Sequence, residues 1–282
     1  MTRAVVLAGG LGMRLRPYTA VLPKPLMPVG DRPVLDVVIR QLRHRGFERV
    51  TIATGHLAEL IQAFFRDGSD YGLRIDYVRE HTPLGTAGAI ASIEGLDEPF
   101  LVMNGDVLTD LDYAALLARH EATGAAATIA TVVREVQVTL GVLHFEHPDQ
   151  EDRLTSYDEK PRFEFEASMG VYAFSPRVLE HMEPDQRLDF PDLMRRLMDA
   201  GEAVRAYRPE CFWLDIGRHE DYEQAQEEFE RLRHRLIPEE DRRKPSPLTT
   251  ATTAAPPFEL HVGERRRLPA PGDAPVSRRA AP

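Results

Sequence analysis

Cysteine and long apolar runs are scarce in this chain of 282 residues, which has one cysteine, Cys211. A single cysteine excludes an internal disulfide framework and favours a reducing compartment. No apolar run approaches the roughly 20 residues that a membrane span needs, and residues 4–8 are too short for the core of a signal peptide. The net charge of −10 argues against nucleic-acid and anionic-membrane partners. We therefore expect a cytoplasmic protein.

Acidic residues are absent from residues 1–30, although the whole chain has 45 of them. The basic residues of this segment are Arg3, Arg14, Arg16 and Lys24. Such a local positive charge suits a small anionic ligand. Lysine is also rare, and besides Lys24 the predicted folded part has only Lys160. Arginine-rich codon usage explains most of this shortage, but a lysine offers a compact, freely rotating charge, so both lysines are candidate phosphate ligands.

The chain divides into an organised part and a tail. The last 46 residues contain nine prolines, runs of Thr and Ala, and three consecutive arginines. A segment of this composition buries little apolar surface. We predict one folded domain over residues 1–235 and a disordered tail over 236–282. A solvated linker is preferred for the tail, with binding to an acidic partner as the alternative.

Strand-like and helix-like segments alternate through the first half. Predicted strands lie at 4–8, 50–53, 73–78 and 100–103, and predicted helices at 34–45, 57–65, 86–93 and 113–120. The second half adds strands at 127–133, 140–145, 154–157 and 169–174, then helices at 190–200 and 219–235. This order predicts an α/β fold with a doubly wound, mainly parallel, Rossmann-like sheet. The strands of the second half are expected to be mixed and to form a substrate cleft.

A glycine-rich segment, Gly9-Gly10-Leu11-Gly12-Met13-Arg14, directly follows the first predicted strand. Glycines there let backbone N–H groups converge on an anion, and open α/β sheets bind ligands beyond the carboxyl ends of their strands. The segment lacks the third glycine of the dinucleotide fingerprint and the Gly-Lys-Ser/Thr of a P-loop. On its own it fits a phosphate site and a plain tight turn equally well.

The longer string extends this motif. Gly9 to Pro17 is followed by Pro23-Lys24-Pro25-Leu26-Met27-Pro28 and then by four further motifs. These are Pro83-Leu84-Gly85-Thr86-Ala87-Gly88, Asn104-Gly105-Asp106, Glu159-Lys160-Pro161 and Trp213-Leu214-Asp215-Ile216-Gly217. In order and spacing, residues 1–230 resemble the sugar-1-phosphate nucleotidylyltransferases, also called sugar-nucleotide pyrophosphorylases. Met13 departs from the threonine of many members, with a modest expected effect because the backbone amide does most of the work there.

The resemblance implies a role for each motif. It implies nucleotide contacts from Leu7, Ala8, Gly9, Gly10, Gly12, Met13, Gly85 and Thr86. Arg14 is expected to steady the departing β- and γ-phosphates, and Lys24 to bridge the reacting phosphates. Asp106 and Asp215, each at a predicted strand end, are expected to hold Mg²⁺, a cation that prefers carboxylate and phosphate oxygens. The sugar phosphate is expected at Asn104, Gly141, Glu159 and Lys160.

Glu80 bears on the choice of base. A carboxylate only accepts hydrogen bonds, which suits the N1–H and N2–H₂ donors of guanine and not the carbonyls that flank the N–H of thymine or uracil. The segment from Pro83 to Gly88 also resembles that of mannose-1-phosphate guanylyltransferases. Some uridylyl-transferring members also have a glutamate here. If Glu80 instead pairs with Arg79 or Arg74, it has no role in reading the base.

The leading prediction is a Mg²⁺-dependent enzyme that joins a nucleoside triphosphate and a sugar 1-phosphate into a nucleotide sugar and releases pyrophosphate. GTP with mannose 1-phosphate or a manno-heptose 1-phosphate is preferred. Thymidylyl or uridylyl transfer to glucose 1-phosphate is the alternative within the class. A regulatory subunit that senses nucleotide sugars is the alternative outside it, although Arg14, Lys24, Asp106, Lys160 and Asp215 are all present. The resemblance also implies a homo-oligomer.

Overall fold

The computed structural model describes residues 2–146 and 153–242. In chain order the strands are β1 Arg3–Ala8, β2 Pro28–Val29, β3 Arg32–Pro33, β4 Arg49–Thr54, β5 Arg74–Arg79, β6 Phe100–Asn104, β7 Val107–Thr109, β8 Ala127–Gln137, β9 Gly141–Phe145, β10 Leu154–Glu159, β11 Arg162–Phe174, β12 Val204–Tyr207 and β13 Trp213–Asp215. The α-helices are α1 Val34–His44, α2 Ala58–Phe65, α3 Tyr113–Thr123, α4 Phe190–Asp199 and α5 His219–Leu236.

A central sheet of seven strands organises this part of the chain, in the order β12-β8-β11-β6-β1-β4-β5. Strand β1 pairs in parallel with β4 and β6, and β4 pairs in parallel with β5. Strand β11 is antiparallel to its neighbours β6 and β8, while β12 is again parallel to β8. The prediction of an α/β fold with a mainly parallel sheet and mixed strands in the second half is confirmed.

Both faces of the sheet are buried, as a parallel sheet requires. Ala4, Val6 and Ala8 of β1 pack on one face, in a core that includes residues of α1, α2 and α3. Val5 packs on the opposite face, in a core that includes residues of α4. The continuous apolar run in β1 therefore reflects burial on both sides. A third, smaller core joins α5 to β7 and β13.

Several elements differ from the predictions, and β8 and β11 run longer than the predicted 127–133 and 169–174. The predicted helix at 86–93 is a single 3-10 segment, Gly88–Ser92, and is not an α-helix. The short strand β7 starts one residue after Asp106 and pairs with β13, whereas the sequence showed no strand between Asp106 and α3. Strand β12 was also not predicted, because a four-residue edge strand with an exposed middle has little apolar pattern.

Packing continues past the predicted domain boundary at residue 235. Leu236 and Ile237 are fully buried, and Asp241 is buried in the short 3-10 segment Glu239–Asp241. The rest of the predicted disordered tail, 243–282, lies outside the described residues. Across the described ranges, no helix has the combined length and hydropathy required to traverse a lipid bilayer.

Candidate active site

The glycine-rich loop lies at the carboxyl end of β1. Gly12 has a φ of +59°, and its carbonyl accepts a 2.7 Å hydrogen bond from the Thr19 hydroxyl. This left-handed conformation favours glycine, and a Cβ there would lie 2.8 Å from Thr19 Cγ2. A Cβ on Gly10 would meet no atom within 4 Å, so Gly10 borders open space. The loop is thus fixed at Gly12 and open at Gly10, where a ligand can approach its backbone.

The other residues near β1 that were predicted to contact the nucleotide differ in their burial and in their hydrogen bonds. Ala8 is buried in the core, so only its backbone faces the site, and the Leu7 carbonyl already accepts a 2.9 Å hydrogen bond from Gly105 N–H. Met13 is 61% exposed and begins a 3-10 turn that ends at Leu15. Arg14, in the same turn, is exposed and makes no hydrogen bond or ion pair with the rest of the described chain. Its guanidinium is therefore available to an anion.

Sequence reasoning missed a second glycine at this edge of the sheet, Gly55. It follows β4, the parallel neighbour of β1, and a Cβ on it would lie 2.6 Å from the carbonyl oxygen of Gly9. A side chain at residue 55 would therefore push the phosphate loop out of place. The signal was present, because Gly55 stands at a strand end beside the predicted ligand crevice.

Glu80 directly follows β5 and lies against Gly9 of the glycine-rich loop. Its carboxylate accepts a 3.3 Å hydrogen bond from Leu84 N–H, and burial raises its pKa above the usual range for glutamate. Its ion-pair alternatives are occupied, since Arg79 pairs with Glu59 at 2.7 Å and Arg74 pairs with Asp76 at 3.1 Å. The carboxylate is therefore free of arginine and half-buried in the cleft.

Gly85 and Thr86 belong to a loop that is hydrogen-bonded to Asp189 and Phe190 at the start of α4. The Thr86 N–H donates to Asp189 Oδ1 at 2.9 Å, and the Phe190 N–H donates to Thr86 Oγ1 at 2.9 Å. Gly85 has a φ of +80°, and a Cβ on it would lie 2.6 Å from the Leu188 carbonyl oxygen. The backbone N–H and the side-chain oxygen of Thr86 therefore both fix this loop to the segment before α4. The Asp189 side chain therefore binds Thr86 and makes no capping hydrogen bond to α4.

Lys24, Asp106 and Asp215 converge at the opposite end of the loop. Lys24 forms an ion pair with Asp106 Oδ2. The pairing of β7 with β13 brings Asp215 beside Asp106, and Ile216 N–H donates to the Asp106 carbonyl at 3.3 Å. Burial, and then the nearby Asp106 charge, raise the pKa of Asp215. Two carboxylates and one lysine therefore share a small, partly buried volume.

This pair of carboxylates fits a magnesium ion. Asp106 Oδ1 is buried and makes no hydrogen bond within the described structure, so one carboxylate oxygen is left for a cation. No cluster of three His, Cys, Asp or Glu side chains with the geometry of a metal site occurs in residues 2–146 and 153–242. Mg²⁺ typically uses one or two carboxylates and completes its shell with substrate phosphates and water. Two aspartates are therefore an adequate protein contribution.

Gly217 lies close to both Asp215 and Arg14. A Cβ on Gly217 would lie 3.3 Å from Asp215 Oδ2, 3.3 Å from Asp221 Oδ2 and 3.6 Å from an Arg14 terminal nitrogen. Asp221 was absent from the predicted site. It accepts a 2.7 Å hydrogen bond from the Arg218 N–H at the start of α5. Its sequence signal was the acidic third position of that helix.

The residues predicted to bind the sugar phosphate lie on three different strands and on the residue that follows β10. Asn104 ends β6 and packs on Gly170, where a Cβ would lie 2.6 Å from Asn104 Nδ2. Gly141 begins β9, opposite Glu159 at the end of β10. Lys160 follows with a φ of +49°, a strained backbone for a non-glycine residue. Lys160 and Glu159 are both exposed, with Nζ and Oε1 3.8 Å apart, so the ion pair expected of an isolated turn is present but loose.

A cleft of about 650 Å³ extends from the glycine loop and Glu80 to Asp106, and Lys24 and Asp215 are not among the residues that line it. Its lining includes Leu7, Gly9, Gly10, Gly55, Glu80, Gly85, Thr86, Asn104 and Asp106, and also Arg187, which sequence reasoning missed and no sequence signal marked. The glycine loop, Glu80, the loop of Gly85 and Thr86, and Asp106 thus border one space. Gly141, Glu159 and Lys160 are not in the lining of this cleft as described.

Comparison with known proteins is consistent with this geometry. The chain is 35% identical over 243 residues to a UTP--glucose-1-phosphate uridylyltransferase of Synechocystis, covering 79% of this chain and 62% of the relative. It is 34% identical over 230 residues to a mannose-1-phosphate guanylyltransferase of Mycobacterium tuberculosis, covering 78% and 62%. This chain therefore matches about three-fifths of the length of these relatives.

Solved structures share the fold. HddC of Yersinia pseudotuberculosis, solved in complex with GMP-PN, is 28% identical with a TM-score of 0.62, covering 81% of this chain and 100% of that one. The family model described as nucleotidyl transferase matches residues 3–231. Because that match spans most of the chain and both of these relatives exceed 30% identity, the resemblance seen in the motifs is confirmed. This chain belongs to the nucleotidyl transferase family.

Proposed function

We propose that this chain transfers a nucleoside monophosphate from a nucleoside triphosphate to a sugar 1-phosphate and releases pyrophosphate. The observation that carries the proposal is the convergence of Lys24 and Asp215 on Asp106, a residue that lines one cleft together with the glycine loop. The names of two relatives describe reactions of this class: one is a UTP--glucose-1-phosphate uridylyltransferase and the other a mannose-1-phosphate guanylyltransferase.

In this reaction a phosphate oxygen of the sugar 1-phosphate attacks the α-phosphorus of the nucleotide. A new P–O bond forms there, the bond from the α-phosphorus to the bridging oxygen breaks, and its electron pair leaves with pyrophosphate. Such a transfer needs alignment and charge neutralisation more than covalent help. The open backbone at Gly10 binds the triphosphate, the unpaired Arg14 steadies the leaving pyrophosphate, and Lys24 contacts the reacting phosphates.

Asp106 and Asp215 are proposed to hold Mg²⁺. When bound, the ion neutralises phosphate charge and helps to orient the two substrates. Lys24 pairs with Asp106 Oδ2 and offsets the charge of that carboxylate, while Oδ1 has no hydrogen bond and is left for the cation. Asn104, Gly141, Glu159 and Lys160 are proposed to receive the sugar 1-phosphate.

Guanine is the base we propose, because Glu80 offers an acceptor without an arginine partner. The neighbour solved with GMP-PN and the mannose-1-phosphate guanylyltransferase relatives support this choice. Uridylyl or thymidylyl transfer is the second candidate, favoured by the Synechocystis relative. Location in the cytoplasm and assembly as a homo-oligomer are parts of the proposal as well.

A substrate matrix tests the proposal. Five nucleoside triphosphates are combined with a panel of sugar 1-phosphates, and pyrophosphate release is measured with Mg²⁺ and with chelator. We expect release only with Mg²⁺, highest with GTP and a manno-configured sugar 1-phosphate. Asp106→Asn and Asp215→Asn should fold and lose turnover by orders of magnitude, because a neutral amide binds a hard cation poorly. The surface variant Asp70→Asn serves as the matched control; near-full turnover of either site variant at limiting Mg²⁺ would contradict the metal assignment.

A further inference from the structure

Strands β9 and β10 form an antiparallel pair of their own, outside the central sheet. Glu159, the last residue of β10, is opposite Gly141, the first residue of β9. Tyr157 lies two residues before Glu159 in β10. Because opposite residues, and residues two apart along a strand, share a face, all three lie on one face of the pair. Two residues predicted to bind the sugar phosphate are therefore neighbours of a tyrosine to which the sequence analysis assigned no role.

The Tyr157 side chain reaches across to Gly141. A Cβ on residue 141 would overlap the Tyr157 hydroxyl oxygen, Oη, and would lie 2.5 Å from Cζ and 3.1 Å from Cε1 of the same ring. The ring and hydroxyl therefore fill the space that a side chain at residue 141 would need. The backbone of Gly141 lies outside the positive-φ region, so its conformation is open to other residues. What requires a glycine here is the space that Tyr157 occupies.

The hydroxyl that lies against Gly141 also binds the carboxylate of Glu159. Tyr157 Oη donates a 3.2 Å hydrogen bond to Glu159 Oε2. Lys160 Nζ lies 3.8 Å from the other oxygen, Oε1, which is beyond the range of a hydrogen bond. The tyrosine therefore fixes one oxygen of the carboxylate and leaves Oε1 available to accept a hydrogen bond from a ligand hydroxyl.

Holding this carboxylate matters because the side chains face water. Tyr157 is 60% exposed, and the side chains of Glu159 and Lys160 are 61% and 58% exposed. An exposed glutamate loses rotamer freedom when it binds a ligand, and a group that is already held in one geometry has less to lose. Tyrosine suits this role, because its side chain is rigid and turns about only two angles. Its contact with Gly141 further restricts the ring.

We propose that Tyr157 is a positioning residue for the sugar 1-phosphate, which holds the Glu159 carboxylate ready to accept from a sugar hydroxyl. Gly141 then serves the site by making room for Tyr157. This inference rests on the proposed function, in which Glu159 and Lys160 receive the sugar 1-phosphate. The alternative is that the ring only covers the glycine backbone, as aromatic side chains do across paired strands.

Tyr157→Phe separates the two roles, because it keeps the ring against Gly141 and removes the hydroxyl. Steady-state pyrophosphate release is measured with the substrate pair that the unaltered chain uses best. We expect the KM for the sugar 1-phosphate to rise about three- to tenfold, the range of one hydrogen bond. The KM for the nucleotide, kcat and the melting temperature should stay the same, since the lost contact is made equally in the ground and transition states.

Tyr77→Phe is the matched control. It removes a hydroxyl that donates to the Arg66 carbonyl at 2.7 Å, outside the proposed site, and should change neither KM. An unchanged KM for the sugar 1-phosphate in Tyr157→Phe, with normal turnover, would overturn the positioning role and leave the ring as a cover for the glycine.

A double-mutant cycle tests the role of Gly141. Gly141→Ala should displace the Tyr157 ring and raise the KM for the sugar 1-phosphate as much as Tyr157→Phe does. In a Tyr157→Leu background the same alanine should change that KM by less than about twofold, because leucine lacks the atoms that the Cβ would meet. An equal rise in both backgrounds would overturn this role, since Gly141 would then make room for the sugar itself.

Failure of the proposed function gives a different result. It would appear as no pyrophosphate release by the unaltered chain with any pair of nucleoside triphosphate and sugar 1-phosphate, and the role of Tyr157 would fall with it. Normal turnover by the unaltered chain, together with wild-type KM values in Tyr157→Phe, would overturn the role of Tyr157 alone.

Discussion

The carboxylate of Glu80 lies directly on the backbone of Gly9, so closely that a Cβ on residue 9 would overlap Glu80 Oε1. The glycine of the phosphate loop therefore leaves room for the group that we propose reads the base. Arg79 and Arg74 pair with Glu59 and Asp76 instead, so the ion-pair alternative considered from the sequence is not the arrangement observed.

Glu80→Gln should lower kcat/KM for GTP more than for UTP or dTTP. A hydrogen bond to a charged group contributes about 1.5–3 kcal/mol, which corresponds to roughly a ten- to hundredfold loss for GTP. Steady-state rates with the three nucleotides measure it, with Glu59→Gln as the control for loss of a nearby carboxylate. Equal losses for all three nucleotides would contradict base reading by Glu80.

Arg14→Gln should reduce kcat about a hundredfold, the usual cost of one preorganised group that stabilises developing charge. Its guanidinium has no partner elsewhere in the described ranges, so its removal should leave the melting temperature unchanged. Arg16→Gln is the control, since Arg16 is also exposed two residues away. Equal activity of the two variants would place Arg14 outside the chemistry.

Thr86→Val should lower the melting temperature of the protein. The substitution removes the oxygen that accepts from Phe190 N–H, and an unsatisfied donor costs about 1–3 kcal/mol. For a domain of this size, each kcal/mol lowers the melting temperature by about 2–4 °C. Thr82→Val, in the exposed part of the same cleft, is the control. An unchanged melting temperature with a raised KM for nucleotide would instead assign the hydroxyl to the ligand.

Asp241→Ala should destabilise the domain by about 3 kcal/mol, because it breaks a buried ion pair. Asp241 Oδ1 accepts from Arg40 at 2.8 Å, and Arg40 also binds Asp36. The free energy of unfolding in urea measures the effect, with exposed Glu239→Ala as the control. Removal of residues 240–282, which fall within the predicted disordered tail, should cost as much. Removal of 243–282 should cost little, and equal stability of both truncated chains would contradict this role.

Acid should destabilise the protein partly through His120. This ring lies between the Thr128 and Ser175 hydroxyls at 2.8 and 3.0 Å, and burial lowers its pKa to about 4. The unfolded histidine binds a proton near pH 6.5, so its contribution is complete above that pH and is lost as pH falls toward 4. The loss is about 3 kcal/mol. His120→Gln should show a shallower fall in unfolding free energy between pH 6.5 and 4; an identical slope would contradict the assignment.

The sequence by itself determined the parallel half of the sheet and the identity of the motif residues. Buried strands such as β1 are readable because both of their faces are apolar, and the glycine loop stands next to one of them in the chain. Asp106 and Asp215 were readable as strand-end carboxylates. Their separate motifs also indicated the family, which the comparisons confirmed.

Only the tertiary structure decided which of these residues share a volume and what each already binds. Asp106 and Asp215 meet because β7 pairs with β13, two strands of three residues that are too short for periodicity to reveal. Thr86 is engaged by Asp189 and Phe190, about a hundred residues away. The burial of Asp241 depends on Arg40, a partner 201 positions earlier. Local sequence specifies strands and loops, whereas contacts between distant segments depend on packing of the whole domain.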